Sequence, residues 1–218
     1  MIDRRKGDRR TTPPHLAKPP PGVLERRKGP RRALDRLQQE LCQELEVLAK
    51  LPPSQAPAGL FEQILTRIGN YLAGSFQVGD DEVGVLLAKD QGRLLRFAYP
   101  LELYRGKLNF FPIMAPSVAG QVVRAKRGIF HNDMAAVPHL HIYERILVPG
   151  RPPRPIQKML AVPLLDPDGR TVGVFEVSRK ASTPGEAGPD FSALDLLKLT
   201  DFGGVLAAYL VRFTPQDF

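Results

Sequence analysis

The sequence predicts an α+β sandwich, in which antiparallel strands paired as hairpins carry helices before, between and after them. Three observations predict it. The turn signals Asp90-Gln91-Gly92 and Asp166-Pro167-Asp168-Gly169 each separate two strand-like apolar runs. Apolar stripes at helical spacing precede and follow those runs. Finally, 218 residues, 43% of them hydrophobic, suffice for one core of ordinary size plus appendages.

The first segment, residues 1–32, carries no expectation of a core. Up to residue 36 there are twelve Lys/Arg against four Asp/Glu, and beyond it nineteen of each, so the whole net charge of +8 lies at the start. Asp3-Arg-Arg-Lys-Gly-Asp-Arg-Arg10 recurs as Glu25-Arg-Arg-Lys-Gly-Pro-Arg-Arg32, with Pro13, Pro14, Pro19, Pro20 and Pro21 between the copies. Like charges repel and prolines hold the chain extended, so this arm is expected to be disordered when free.

Its arginines, Arg4, Arg5, Arg9, Arg10, Arg26, Arg27, Arg31 and Arg32, are candidate polyanion contacts. Clustered cations neutralise phosphates and release counterions. The first aromatic residue is Phe61, so the arm has no ring for a base to stack on, and nucleic-acid contact would be weak and non-specific. An anionic lipid surface or an acidic partner patch would suit the same charges. Arg4-Arg5-Lys-Gly-Asp-Arg9 also resembles the arginine motif that opens PilZ domains and binds cyclic dinucleotides; the downstream Asp/Asn-x-Ser-x-x-Gly of that family is absent here. A solvated arm with no specific ligand is the remaining reading.

Residues 33–51 form the next element. Leu34, Leu37, Leu41, Leu45 and Leu48 fall three or four apart between polar residues, which predicts an amphipathic helix ended by Pro52 and Pro53. The narrow stripe suits a homodimeric coiled-coil seam, or the surface of its own domain, since Leu45 leaves a strict heptad. Cys42 lies within the pattern as a small apolar residue. Residues 52–59 read as a linker, 60–213 as the folded domain and 214–218 as a C-terminal tail.

Within the domain, Leu60, Phe61, Ile64, Leu65, Ile68 and Leu72 signal a helix; residues 83–89 and 93–99 form the first hairpin. Ser117 caps a short helix running to Arg127 and closed by Gly128, and residues 129–131 make a brief strand. Residues 159–165 and 171–178 form the second hairpin, about a turn with Pro and Gly where type I favours them. Ser192 and Asp195 form a capping box for a last helix that continues to about Arg212. Within it, Gly203 and Gly204 in tandem demand a bend or a close neighbour.

The order Ser117-Val-Ala-Gly-Gln-Val-Val-Arg, Gly128-Ile-Phe-His-Asn-Asp133, Met159-Leu-Ala-Val-Pro-Leu, Asp168-Gly-Arg-Thr-Val-Gly-Val-Phe-Glu-Val-Ser-Arg-Lys180, then Phe191 and Asp195, resembles GAF domains over residues 60–212. The resemblance implies a central antiparallel sheet with terminal helices on one face, often mediating dimers, and a loop-covered pocket on the other. The cover would be residues 101–114 and 132–157. Tyr99, Phe110, Phe111, Met114, His131, Asp133, His139 and His141 are then the expected ligand-binding residues, an aromatic wall with a few polar groups. Phe110 or Phe111 could equally be core.

Neither a metal nor a reaction is expected at these residues. His139 and His141 point to opposite sides of an extended chain, no His-x-x-x-His exists, and Pro138 interrupts the loop. The methionine sulfoxide reductase branch of the resembled family uses several cysteines and the phytochrome branch attaches bilin through one, whereas residues 60–213 contain none. The Asn-Lys-Phe-Asp run of cyclic-nucleotide-binding members is absent too. Gly69-Asn-Tyr-Leu-Ala-Gly74 lies within a helical stripe, where it cannot serve as a phosphate loop.

No apolar run exceeds residues 205–211, and the basic start leads into prolines instead of a signal core. With a lone cysteine, a reduced cytoplasmic setting is expected. The resulting expectation is a non-catalytic, homodimeric sensor or interaction module for a small molecule or signalling partner, its cofactor unknown. A tethered scaffold with a vestigial pocket, and an enzyme using His131 or His139, are the alternatives.

Overall fold

The computed structural model describes residues 28–51, 59–106, 109–141, 144 and 152–218, with side chains described from Arg36 onward apart from Leu37. Arg4, Arg5, Arg9, Arg10, Arg26 and Arg27 lie outside the described residues, as do the side chains of Arg31 and Arg32.

Six strands form one antiparallel sheet: β1 (Val83–Lys89), β2 (Leu94–Tyr99), β3 (Phe110–Pro112), β4 (Ile129–His131), β5 (Ile156–Leu165) and β6 (Thr171–Lys180), in the spatial order β3-β2-β1-β6-β5-β4. Alternation along the strands gives the sheet two apolar faces. Val83, Val85, Leu160, Val162, Phe175 and Val177 point to one; Leu86, Leu95, Phe97, Met159, Ala161 and Val174 point to the other. The first face is covered by α1 (Lys28–Ala49), α2 (Leu60–Phe76) and α5 (Ala193–Phe213), the second by α4 (Val118–Ala125) and the chain around it. A single turn of helix, α3 (Leu101–Tyr104), follows β2.

The expected α+β architecture is therefore present, and several details differ. Residues 101–114, expected as cover, instead contain α3 and the edge strand β3, paired to β2 through Leu95 and Phe111. Helix α1 begins at Lys28, so the end of the second arginine repeat belongs to it. The described part of its stripe is not left open as a seam between copies: Leu41 and Leu45 are buried in the core with α2 and α5, while the side chains of Leu34 and Leu37 lie outside the described residues. Ion pairing of Arg67 with Glu44, and a hydrogen bond from the Tyr71 hydroxyl to Gln38 Oε1 (3.1 Å), fix α1 to α2. Phe218, expected in a tail, is buried edge-on to Phe61 and stacked on Tyr104 beneath the Arg96 guanidinium.

Helix α4 ends at Ala125 with Lys126 at φ 50°, so Gly128 does not close it. Gly128 is required for another reason: a Cβ there would stand 2.7 Å from Leu196 Cδ1 and 2.8 Å from Val162 Cγ1. The capping box of α5 forms as expected, the Ser192 N–H donating to Asp195 Oδ2 (2.9 Å) and the Asp195 N–H to Ser192 Oγ (3.3 Å).

Candidate functional site

The second face of the sheet owes its polar centre to one register. On β6, Val174, Glu176 and Ser178 alternate with Phe175 and Val177, so the face that takes Val174 also takes a carboxyl and a hydroxyl. Glu176 pairs laterally with Gly84 on β1 and with Ala161 on β5, and Ala161 with Ile129 on β4. Ser178 pairs with Met159, and Met159 with His131. His131 and Glu176 thus occupy adjacent rows of one face.

Helix α4 is set with its N-terminus over Glu176. Ser117 caps it, its Oγ accepting the Gly120 N–H at 3.0 Å, and the Ala119 N–H donates to the Glu176 carboxyl. The Arg124 guanidinium donates to the Ile113 carbonyl (2.6 Å), and a Cβ on Gly120 would lie 2.4 Å from that same oxygen, which is why glycine stands there. Burial pushes the Glu176 carboxyl up to about 7, against the Ala119 hydrogen bond and the field of His139, which favour its charged form. The carboxyl therefore changes charge near neutrality, beneath a helix.

On the same face, His131 presents a buried Nε2 with no hydrogen-bond partner among the described residues. The segment after β4 begins with Asn132, whose amide clasps the Phe191 backbone twice, donating to its carbonyl (2.9 Å) and accepting from its N–H (2.8 Å). Met134 is buried on this face, its N–H donating to the Gln157 carbonyl (3.1 Å).

Beyond it lies a second polar cluster. His139 Nδ1 is 2.8 Å from the Val137 carbonyl, and its Nε2 is 3.1 Å from Glu144 Oε1. His141 Nδ1 is 2.6 Å from Glu144 Oε2, and the Ile156 N–H donates to Glu144 Oε1 (2.9 Å). Burial raises the Glu144 carboxyl, but the Ile156 amide and the two imidazoles outweigh it and hold the group below the usual carboxylate range.

The structure thus divides the expected ligand-binding residues. His131 and Phe111 lie on the α4 face, Phe111 within its packed core. His139 and His141 converge, their ring centroids 4.6 Å apart, because the loop folds back instead of running extended. Tyr99 does not belong with them. The β2 strand is irregular near its end, Ala98 and Tyr99 both face α2, and the Tyr99 ring fills the space where a Gly69 Cβ would be. Burial, then Asp80, Glu102 and Asp81, push its phenol up to about 12. Phe110 and Met114 are exposed, 53% and 77%. Asp133 is exposed and accepts the Ala135 N–H (3.1 Å), which gives it a turn-forming role.

The carboxylates Glu176 and Glu144 complete the two clusters and are absent from the expected set. For Glu176 a signal existed: a carboxyl in the middle of the apolar strand Val-Gly-Val-Phe-Glu-Val, in register with Val174. For Glu144 only its nearness to His139 and His141 in sequence was available.

Comparisons with known proteins agree on the fold. A family model described as GAF domain matches residues 54–207. The GAF domain of a phosphoenolpyruvate-protein phosphotransferase from Coxiella burnetii superposes with a TM-score of 0.58 at 14% identity, covering 82% of this chain and 92% of that one. The corresponding GAF domain from Acinetobacter gives 0.53 at 13% identity, covering 80% and 93%. A free methionine-R-sulfoxide reductase from Neisseria meningitidis, solved with its substrate, gives 0.56 at 17% identity, covering 84% and 89%. No curated protein matches the chain.

Proposed function

The chain belongs to the GAF domain family, and from that premise we propose that it is a non-catalytic, cytoplasmic sensor module that binds a small, partly apolar molecule on the α4 face of its sheet. The observation that carries this reading is the fully buried Glu176 carboxyl under the N-terminus of α4, one row and two strands from the His131 Nε2, which has no hydrogen-bond partner among the described residues. A folded chain leaves a buried ring nitrogen unmatched at a cost of about 1–3 kcal/mol. A ligand with a hydrogen-bonding head and an apolar body would satisfy that nitrogen and rest against Met134 and Met159.

The non-catalytic part of the reading is supported by the state of the one thiol. Cys42 is on α1, across the sheet from Glu176, and burial followed by Glu46 raises its pKa, the reverse of nucleophile activation. The likeness to a sulfoxide reductase therefore supplies a fold and no thiol mechanism.

A homodimer is proposed through α5, where Leu194, Leu197, Val205 and Val211 are exposed along one side of a helix whose other side is core. The basic arm would add weak polyanion or partner contact.

Native mass spectrometry of the purified full chain tests the ligand reading. A bound small molecule retained by the wild type and lost in His131→Ala, with urea unfolding midpoints that coincide, supports it. An experimental structure in which the chain's own side chains fill the space between His131 and Glu176 overturns it.

A further inference from the structure

We propose that His139, His141 and Glu144 form a binding site for a divalent transition metal ion, with zinc as its best-matched occupant. The site lies in the segment between β4 and β5 and does not depend on the small-molecule reading.

One ligand atom from each of the three side chains can be chosen so that all lie within 4.8 Å of one another. Donor atoms around a tetrahedral zinc, at bond lengths of about 2.0–2.1 Å, stand about 3.3 Å apart. The cluster therefore needs to close by no more than about 1.5 Å, within reach of side-chain rotation alone.

His139 is oriented as a metal ligand would be. Its Nδ1 faces the Val137 carbonyl at 2.8 Å, and only a protonated Nδ1 makes that contact attractive. In the neutral ring the lone pair is then on Nε2, and Nε2 faces Glu144 Oε1 at 3.1 Å. Two electron pairs meet head-on unless a positive centre, a proton or a metal ion, joins them. A histidine whose other nitrogen donates to a backbone carbonyl is the arrangement by which proteins orient metal ligands. Glu144 is oriented in the same manner, by the Ile156 N–H on Oε1.

His139 and Glu144 side chains are 11% and 16% exposed, while His141 is 63% exposed, so two donors are held and the third opens to solvent. That leaves an entry route and room for a water ligand. Two imidazoles and one carboxylate favour zinc or another late first-row cation over magnesium or calcium, which prefer all-oxygen shells. Because Glu144 is bonded to the first residue of β5, the ion would fasten the segment carrying His139 to the sheet.

The test uses the full chain stripped with a chelator and titrated with zinc chloride by calorimetry, with cobalt(II) absorption as a second readout. One ion per chain is expected, with the visible bands of tetrahedral cobalt. His139→Ala and Glu144→Gln should each weaken binding by about 100-fold or more, beyond the 10–100-fold typical of losing an outer partner. His15→Ala and Cys42→Ser should leave it unchanged. Circular dichroism of the metal-free variants, expected to match wild type, separates lost ligation from lost fold. Absence of zinc binding by the wild type overturns the proposal, as does binding that persists in the His139→Ala, Glu144→Gln double variant or disappears with Cys42.

Discussion

Replacing Glu176 by Gln should make the protein more stable above neutrality and leave it unchanged in acid. The carboxyl titrates at about 7 in the folded chain against an ordinary value of 4.5, chiefly because it is buried. The fold therefore holds this proton more tightly than the unfolded chain does. Its stabilising contribution is complete below pH 4.5 and is lost as pH rises through about 7. The difference of about 2.5, at about 1.4 kcal/mol per pH unit, is worth about 3 kcal/mol. Glutamine is close in shape, can accept the Ala119 N–H through its oxygen and never ionises, so it keeps the neutral state at every pH. Urea unfolding of both proteins from about pH 4.5 to 8.5, in chelator, measures the difference in stability at each pH. His139, whose field reaches Glu176, and His131 on the same face are common to both proteins, and subtraction removes most of their titration. The difference should rise from near zero to about 3 kcal/mol in favour of the variant, centred between the two pKa values. A difference that is flat across this range would refute the burial argument.

A Cβ on Gly204 would meet nothing within 4 Å, so Gly204→Ala should raise stability by about 1 kcal/mol through helix propensity; at Gly203, Leu164 Cδ2 at 3.2 Å opposes the gain. Thermal unfolding in which Gly203→Ala is the more stable of the two would contradict this packing. Leu45→Ala should cost about 3 kcal/mol in urea unfolding, since Leu45 is 1% exposed within the core; a cost below about 1 kcal/mol would mean that α1 is only loosely attached. Leu197→Glu, on the exposed side of α5, should give a folded monomer by light scattering, and a variant that remains dimeric would move the interface elsewhere. Deleting residues 1–27, which stops short of α1, should leave the unfolding midpoint unchanged and abolish salt-sensitive heparin retention; heparin retention that survives the deletion would relocate the polyanion contact.

Elements whose signals are local were legible in the sequence. Both hairpins, the Ser117 cap and the Ser192–Asp195 box rest on residues within a few positions of each other, and all stand in the structure. What depended on distant partners was not legible. Leu41 and Leu45 lie on one narrow stripe, and nothing in its spacing says whether the surface they meet is a second copy or α2 of the same chain. The GAF resemblance assigns Tyr99 to the pocket, whereas an irregularity between β1 and β2, which no local pattern announces, turns it toward Gly69. His139 and His141 diverge in an extended chain, yet here both rings reach the Glu144 carboxyl, a contact that their spacing does not foretell. Glu176 stood in plain sight, but its chemistry comes from α4 arriving above it, a contact made across 57 residues.

The clasp between Asn132 and Phe191 has a mechanical consequence. Its two hydrogen bonds join the first residue after β4 to the backbone immediately ahead of Ser192, the cap of α5. A displacement of the strand-to-loop junction must either break both bonds together or carry Phe191 with it. Since Phe191 is buried and lies beneath the Arg179 guanidinium, such a pull reaches the base of α5, whose far side presents Leu194 and Leu197 to the surroundings. The amide thus works as a tie-rod between the two faces of the sheet, converting strain on one into a change of footing for the helix on the other.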